Sequence, residues 1–448
     1  MLINKIIGLF SLAAPCLCAA LIDRHDHGHD GHNTSFVSFT KFIETVQHAK
    51  FRDYAHTHVK SREAFEEMKA HILDMYDSVS MDKVTTFVLE HEHGDCIAIE
   101  EQPTVRKLGI KHIERSPPPV SFGNRTRLEG HKPGKFVDAD SPLKLGLKDR
   151  FGNPISCPKH AIPMARLSLE KLTRFGTLAD FFAKKSPVGS GHLSKRDEPH
   201  LHARGRQAVA NFGGNSWLNL WNPKGDFSLS QQWYFGGEGS ELQTVEGGWQ
   251  VYPDLYNTDK AVLFIYRTVQ DYAPKSGCYN LDCSGFVQIN HNWHLGGIWN
   301  HYSETNGPQW GFEMQWKLFQ GNWWLFIKGP GNYEAVGYYP TSIFQGGQMS
   351  KHATNIQYGG EVTRLASDHI WPQMGSGAPA SKGYRVAAFQ NTVFYIPHDE
   401  NGGVGVWANF QPFVEGPLCY SIDVTDSSKG GSWGTYFFFG GPGGKTCT

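Results

Sequence analysis

All 13 tryptophans of this 448-residue chain lie at or beyond Trp217. Counted from residue 206, the C-terminal part holds 36 of the 50 glycines, while 16 of the 22 histidines come before it. So sharp a break excludes one uniform domain and divides the chain near residue 200. Glycine-rich turns between aromatic stretches favour short strands over helices in the back part. Seven segments there read as strands: 240–253, 261–270, 285–292, 310–319, 322–328, 384–395 and 435–439. With weaker runs between them, roughly a dozen strands are expected, closing into an all-β antiparallel β-sandwich or a barrel. No internal repeat of propeller length is visible.

The front part reads as α+β. Phe39, Phe42, Ile43 and Val46, then Phe65, Met68, Ile72 and Met75, recur at helical spacing over residues 36–81. Residues 171–185 form a second helical candidate, and residues 83–99 are strand-like. Residues 186–206 are a polar linker containing Lys195-Arg196, with Arg204 and Arg206 following. Exposed linkers are where proteases cut, so the dibasic pair predicts removal of a pro-segment. The expected organisation is a signal peptide over 1–20, a pro-segment over 21–196, a processing linker over 197–206 and an all-β domain over 207–448.

The leader rests on Lys5, a short apolar run from Ile6 to Ala14, and small residues at Cys18-Ala19-Ala20. That run is too short to span a bilayer. A secreted, extracellular protein with no membrane attachment after leader removal is expected. Asn33 and Asn124 stand in glycosylation sequons. Of the eight cysteines, Cys16 and Cys18 leave with the leader, and the remaining six suggest disulfides. Net charge is −1, from 42 Lys+Arg against 43 Asp+Glu, so no basic excess points to nucleic acid.

Chemistry is sparse. Gly430-Gly431-Ser432-Trp433-Gly434 matches the GxSxG pattern, but a strand-like run follows it where a nucleophile elbow needs a helix. His25, His27, His29 and His32 read as a solvated tail rather than a metal site. No metal or cofactor is expected. Two carboxylates stand out: Glu246, in an apolar strand beside two glycines, and Glu361, in Gly359-Gly360-Glu361-Val362. Glu is depleted in strands and costly to bury unpaired. Each is either a functional acid or one paired with Arg or Lys at a barrel rim.

Several ordered motifs resemble the neprosin family of secreted glutamic peptidases. They are Glu246-Gly247-Gly248-Trp249-Gln250-Val251, Pro253-Asp254-Leu255-Tyr256 and the run from Gly277-Cys278-Tyr279 to Cys283-Ser284-Gly285-Phe286. Trp323-Trp324, Gly337-Tyr338-Tyr339-Pro340, Gly359-Gly360-Glu361-Val362, Gln373-Met374-Gly375-Ser376-Gly377 and Gly440-Gly441-Pro442-Gly443 continue the series. In the front part, Asp95-Cys96-Ile97, Gln102-Pro103, Ser156-Cys157-Pro158 and Ile162-Pro163 resemble the family's activation segment. The sequence departs at Tyr358, where Trp is usual, and at Gly247, where a small apolar residue is commoner.

The resemblance implies a β-sandwich zymogen that cleaves after proline at acid pH, with Glu246 and Glu361 as the catalytic pair and no cofactor. It also implies the pairings Cys278–Cys283, Cys419–Cys447 and Cys96–Cys157. Substrate partners would be proline-containing peptides or proteins, and the pro-segment would act as inhibitor. Gln250 is a candidate for oxyanion assistance, and Trp249, Tyr252 and Trp324 for stacking on a proline ring. The histidines of the front part would charge on mild acidification and loosen its hold, allowing self-cleavage. The rival readings are a secreted β-sandwich glycoside hydrolase, which also uses two carboxylates, and a non-catalytic, aromatic-rich binding module.

Overall fold

The computed structural model describes residues 36–89, 92–123, 156–184, 200–329, 331–364, 370–398 and 404–447. Residues 1–20, Asn33, Asn124, Lys195 and Arg196 lie outside these segments. Among the described residues no helix is long and apolar enough to cross a membrane.

Along the strands of the back part, successive side chains point to opposite faces. In Gln243–Val251, for example, Val245 and Trp249 face a buried core while Thr244, Glu246 and Gln250 face the other way. The main series of paired strands is Val287–Gln288, Glu334–Pro340, Asn322–Lys328, Gly311–Phe319, Leu201–Asn219, Ala353–Val362, Ser228–Gly236, Gln243–Val251, Val262–Thr268 and Gly277–Tyr279. Every neighbouring pair in it is antiparallel. The sheet folds over on itself as a sandwich. Val245, Trp249, Leu263 and Ile265 from one half share a core with Met314, Trp316, Trp323 and Leu325 from the other.

The Leu201–Asn219 strand is the spine of this sandwich. Its first half pairs with Ala353–Val362 and Gln411–Val414, its second with Gly311–Phe319 and Ala388–Pro397. Leu201 and Ala203 face the core early in the strand, and Leu218 does so late, so the inward parity changes from odd to even. A strand can switch faces only through an irregularity. It lies around Asn211, where the register slips between Ala208 and Asn211 against Ala353–Val362 and between Asn211 and Gly214 against Ala388–Pro397. Gly213 has φ +114°, and a Cβ there would meet the Trp316 carbonyl oxygen at 2.1 Å. Only glycine fits that turn.

This strand corrects the expected linker. Residues 201–206 are not a linker; they form the start of the spine. His202, Arg204 and Arg206 alternate with Leu201, Ala203 and Gly205, and the polar members suggested solvent because six residues are too few to show the period clearly.

The front part contains the expected helices, as Phe39–His48, Phe51–Tyr54, Arg62–Met75, Leu169–Leu172 and Leu178–Phe182. The strand-like run is a hairpin, Thr85–Val88 with His93–Ala98, widened by Ala161–Ala165. Arg166 and Asp95 form a bidentate buried pair at 2.6 and 2.7 Å that ties this sheet together.

The front part covers both outer faces of the sandwich. On one face Phe65, Met68 and Ile72 share a cluster with Leu229, Trp233, Phe264 and Tyr266. On the other, Val105 packs with Val287, Trp324, Phe326 and Tyr338. There the Gln315 amide bonds both the N–H and the carbonyl of Ser121 at 2.8 Å, and the Gln102 amide does the same for Gln288 at 2.9 and 2.8 Å. Lys171 meets Asp282 with both oxygens at 3.0 Å, almost fully buried. Each fully buried apolar side chain is worth roughly 1.5–3 kcal/mol, so these clusters outweigh exposed pairs such as Lys60–Asp180.

Among the described residues the three expected disulfides form: Cys96–Cys157, Cys278–Cys283 and Cys419–Cys447. Gly431–Trp433 is a single short turn leading into the Tyr436–Gly440 strand, so no nucleophile elbow is built there.

Candidate active site

Glu246 and Glu361 stand on two strands separated by one, Ser228–Gly236. On that middle strand Trp233 pairs with Glu246 and Leu229 with Glu361, which leaves Gln231 between the two acids on the same outward face. Both carboxylates are 0% exposed. Burial on this scale demands partners, and the structure supplies them.

The central partner is Lys184, from the front part, itself fully buried. Its Nζ touches Glu246 Oε2, donates to Gln231 Oε1 at 3.1 Å and lies 3.6 Å from Glu361 Oε2. One ammonium thus bridges both acids. Lys184 arrives just beyond the Leu178–Phe182 helix, whose Phe182 carbonyl accepts from the Tyr266 hydroxyl at 3.3 Å. The rings of Tyr266, Phe264 and Trp233 surround the ammonium at 5.3, 5.7 and 5.8 Å, a cation–π cage.

Three neutral donors hold Glu246 besides the lysine. Gln231 Nε2 donates to Oε2 at 2.8 Å, and Thr244 Oγ1 and Tyr272 OH donate to Oε1 at 2.7 and 2.6 Å. Burial, with Glu246 next to it, pushes the Tyr272 hydroxyl well above its ordinary value, so it stays a donor. Glu361 is held differently. His200 Nδ1 sits on Oε1, and His202 Nε2 lies 3.9 Å from Oε2. Burial works to raise the Glu361 carboxyl, but Lys184, His200 and His202 together hold it well below the usual carboxylate range. His202 Nδ1 is fixed by Glu415 Oε2. Burial, reinforced by Arg204, takes His202 down to about 4.

The other candidates divide by parity. Gln250 is four residues from Glu246 and shares its face, where its Oε1 accepts from Tyr256 OH at 3.2 Å. Tyr252 also lies on that side, packed edge-on against Phe227 and Phe175. Trp249 is three residues from Glu246 and so points the opposite way, into the core, where its Nε1 bonds the Asn219 carbonyl at 2.9 Å. Trp324 is on the far outer face beside Tyr338. Neither tryptophan lines the site, which corrects the stacking expectation for both. Tyr358 likewise faces the core, bonded to Tyr234 OH at 2.7 Å. The glycine at 248 serves its neighbour strand, since a Cβ there would meet the Ser230 carbonyl oxygen at 2.0 Å.

Six residues at this site were not singled out from the sequence: Lys184, Gln231, Thr244, Tyr272, His200 and His202. Tyr272 carried the best signal, lying next to the apolar run 261–270, but its left-handed backbone, φ +53°, is visible only in the fold.

The Neprosin family model matches residues 224–442, a stretch that contains both glutamates. Among solved structures, scytalido-glutamic peptidase with a transition state analog inhibitor is 9% identical, with 54% of this chain and 98% of that chain covered and a TM-score of 0.30. A second structure of that peptidase, with a peptide based transition state analog, is 10% identical with the same coverage and TM-score. Likeness that distant supports no conclusion by itself. The family match supports a peptidase of the glutamic type. Residues 224–442 of this chain thus carry a Neprosin domain match that supports assignment to the neprosin family.

Proposed function

We propose that the chain is the secreted precursor of an acid-active glutamic endopeptidase that cleaves on the C-terminal side of proline, with Glu246 and Glu361 activating water. The observation that carries this reading is the convergence of two fully buried carboxylates, inside a neprosin-family domain, on one buried ammonium. Two carboxylates this close cannot both ionise easily once the ammonium leaves, so one takes up a proton and the pair titrates as a unit. The ionised member removes a proton from a bridging water, whose oxygen attacks the peptide carbonyl carbon. The protonated member donates to the carbonyl oxygen as charge develops there. The peptide nitrogen then takes up a proton as the C–N bond breaks, leaving a carboxylic acid and an amine.

On this reading Lys184 is the lock. It fills the position that water and a peptide would need, and its rings are the walls the substrate meets next. Trp233, Phe264 and Tyr266 take over the proline-stacking role first expected of Trp249 and Trp324. Acid would loosen the front part. His71 is buried against the Asp282 carbonyl at 2.9 Å, and burial lowers its ring below the ordinary value. A lowered histidine gives up stability as pH falls below about 6.5. The depressed Glu361 does so below about 4.3. Both shifts weaken the precursor in the same direction.

The test is digestion of an unstructured, proline-containing protein by acid-treated chain at about pH 3–5, read by mass spectrometry beside a glycan panel. Cleavage after proline, absent with the Glu246→Gln, Glu361→Gln double variant, is expected. Glu-dependent cleavage at other residues would keep the peptidase and remove the proline preference. Glycan turnover without peptide cleavage would replace the reading with a glycoside hydrolase. No turnover of either after loss of the front part would favour a binding module.

A further inference from the structure

Glu361 Oε2 and His202 Nε2 are both buried and neither makes a hydrogen bond, although they face each other at 3.9 Å. His202 is 2% exposed. It comes from the spine strand, in direct register with Glu361. Its other ring nitrogen is taken by Glu415, and the Glu415 N–H also bonds the His202 carbonyl at 2.8 Å. Glu415 is partly open to solvent, with its side chain 36% exposed. Glu361, His202 and Glu415 thus form a chain from the buried pair to the surface.

The gap has a reason in this state. The Nδ1 proton of a neutral His202 points to Glu415, which leaves Nε2 a bare acceptor. A carboxylate held ionised by Lys184 and His200 presents only acceptor oxygens. Two acceptors do not close on each other. Once Lys184 departs, Glu361 loses its shared counter-ion, and His202 is the buried side chain already aimed at its free oxygen.

We propose that His202 is a positioning residue that takes over from Lys184, closing its protonated Nε2 onto Glu361 Oε2 and keeping that glutamate ionised in strong acid. This rests on the glutamic peptidase reading and assigns roles within it. Glu361 becomes the member that takes the proton from water. Glu246, whose Oε1 already accepts from Thr244 and Tyr272, becomes the member that carries one. The titratable groups around His202 are Arg204 on its own strand, His200 just before that strand, Glu361 on the neighbouring strand and Glu415 just past the other neighbour. Trp233 closes the ring's remaining side at 6.2 Å. Burial, with Arg204, opposes protonation of His202 more than Glu415 and Glu361 favour it, so the ring charges only when acidity is high. There an unassisted pair would take up its second proton and stop working.

The experiment compares pH profiles of kcat and KM for mature wild-type, His202→Gln and Glu415→Gln enzymes on one proline-containing peptide. Glutamine can fill the space but cannot charge. For His202→Gln the acid limb of kcat should rise by roughly one pH unit, a loss that grows toward low pH and reaches about tenfold near pH 3, with KM little changed. Glu415→Gln, at a partly exposed position, should move the limb in the same direction by less, and it keeps the test alive if His202→Gln does not fold. A profile that both variants leave unmoved overturns the proposal. So does a loss equal at every pH, which marks a packing role. Glu246→Gln and Glu361→Gln run alongside. If they retain activity, the pair itself is wrong. If they are inactive while the limb stays put, only the role of His202 is wrong.

Discussion

Full-length Lys184→Met should unfold at pH 7 with about 3–5 kcal/mol less stability than wild type, the cost of removing one partner from a buried ionic cluster. Methionine matches the lysine stem in volume and suits the cage of Trp233, Phe264 and Tyr266, so lost packing contributes little. What remains is a pair of fully buried carboxylates without their ammonium. The pH dependence should change sign. In wild type, Glu361 is held below its unfolded value, so its contribution is present above about pH 4.3 and fades as pH falls. In the variant, at least one of the pair is raised, so stability is present in acid and fades as pH rises through the new value. Denaturant melts at pH 7 and pH 4 check this: the gap should be wide at the first and narrow at the second. Equal stability at pH 7 would mean that Lys184 is not the counter-ion of the pair.

In the mature enzyme, Glu246→Gln and Glu361→Gln should each lower kcat by roughly 10²–10⁴-fold, the range associated with a positioned acid or base. The substitutions are close in shape, and Gln231, Thr244 and Tyr272 remain to hold an amide at position 246. Melting should therefore move far less than activity. The double variant should lose little more than the worse single, because two groups that act as a unit are not additive. Steady-state kinetics on one peptide, with circular dichroism to confirm folding, settle the matter. A single variant that keeps more than about a tenth of wild-type kcat would remove that residue from the chemistry.

How much of this was legible follows from particular residues. Glu246 and Glu361 stood out because an acid inside an apolar strand is expensive, and that expense is a property of sequence. Trp249 was misplaced for a reason that counting would have caught: it stands an odd number of residues from Glu246. Lys184 could not be found, because it sits beside Lys185 at the edge of a polar stretch and looks like a solvated charge. His202 was read as linker for the same reason. Its burial comes from strands at residues 353–362 and 411–414, more than 150 positions away. Strands such as Gln243–Val251 and Gly311–Phe319 were legible because their apolar residues alternate locally, whereas Leu201–Asn219 and Ser228–Gly236 were not among the segments read as strands. The face switch at Gly213 was not legible, since it is fixed by the Trp316 backbone far along the chain.

The disulfides carry a consequence of their own. Each of the six cysteines bonded here closes a loop within its own part of the chain, and none of the three bridges joins residues before 185 to residues after 199. A single backbone cut between Lys184 and His200 would leave the two parts joined only by noncovalent contacts. Release would then obey mass action: dilution would favour the free enzyme, and confinement would favour the silent complex. The timing of activity would be set by how far the cut molecules spread as well as by the cut itself.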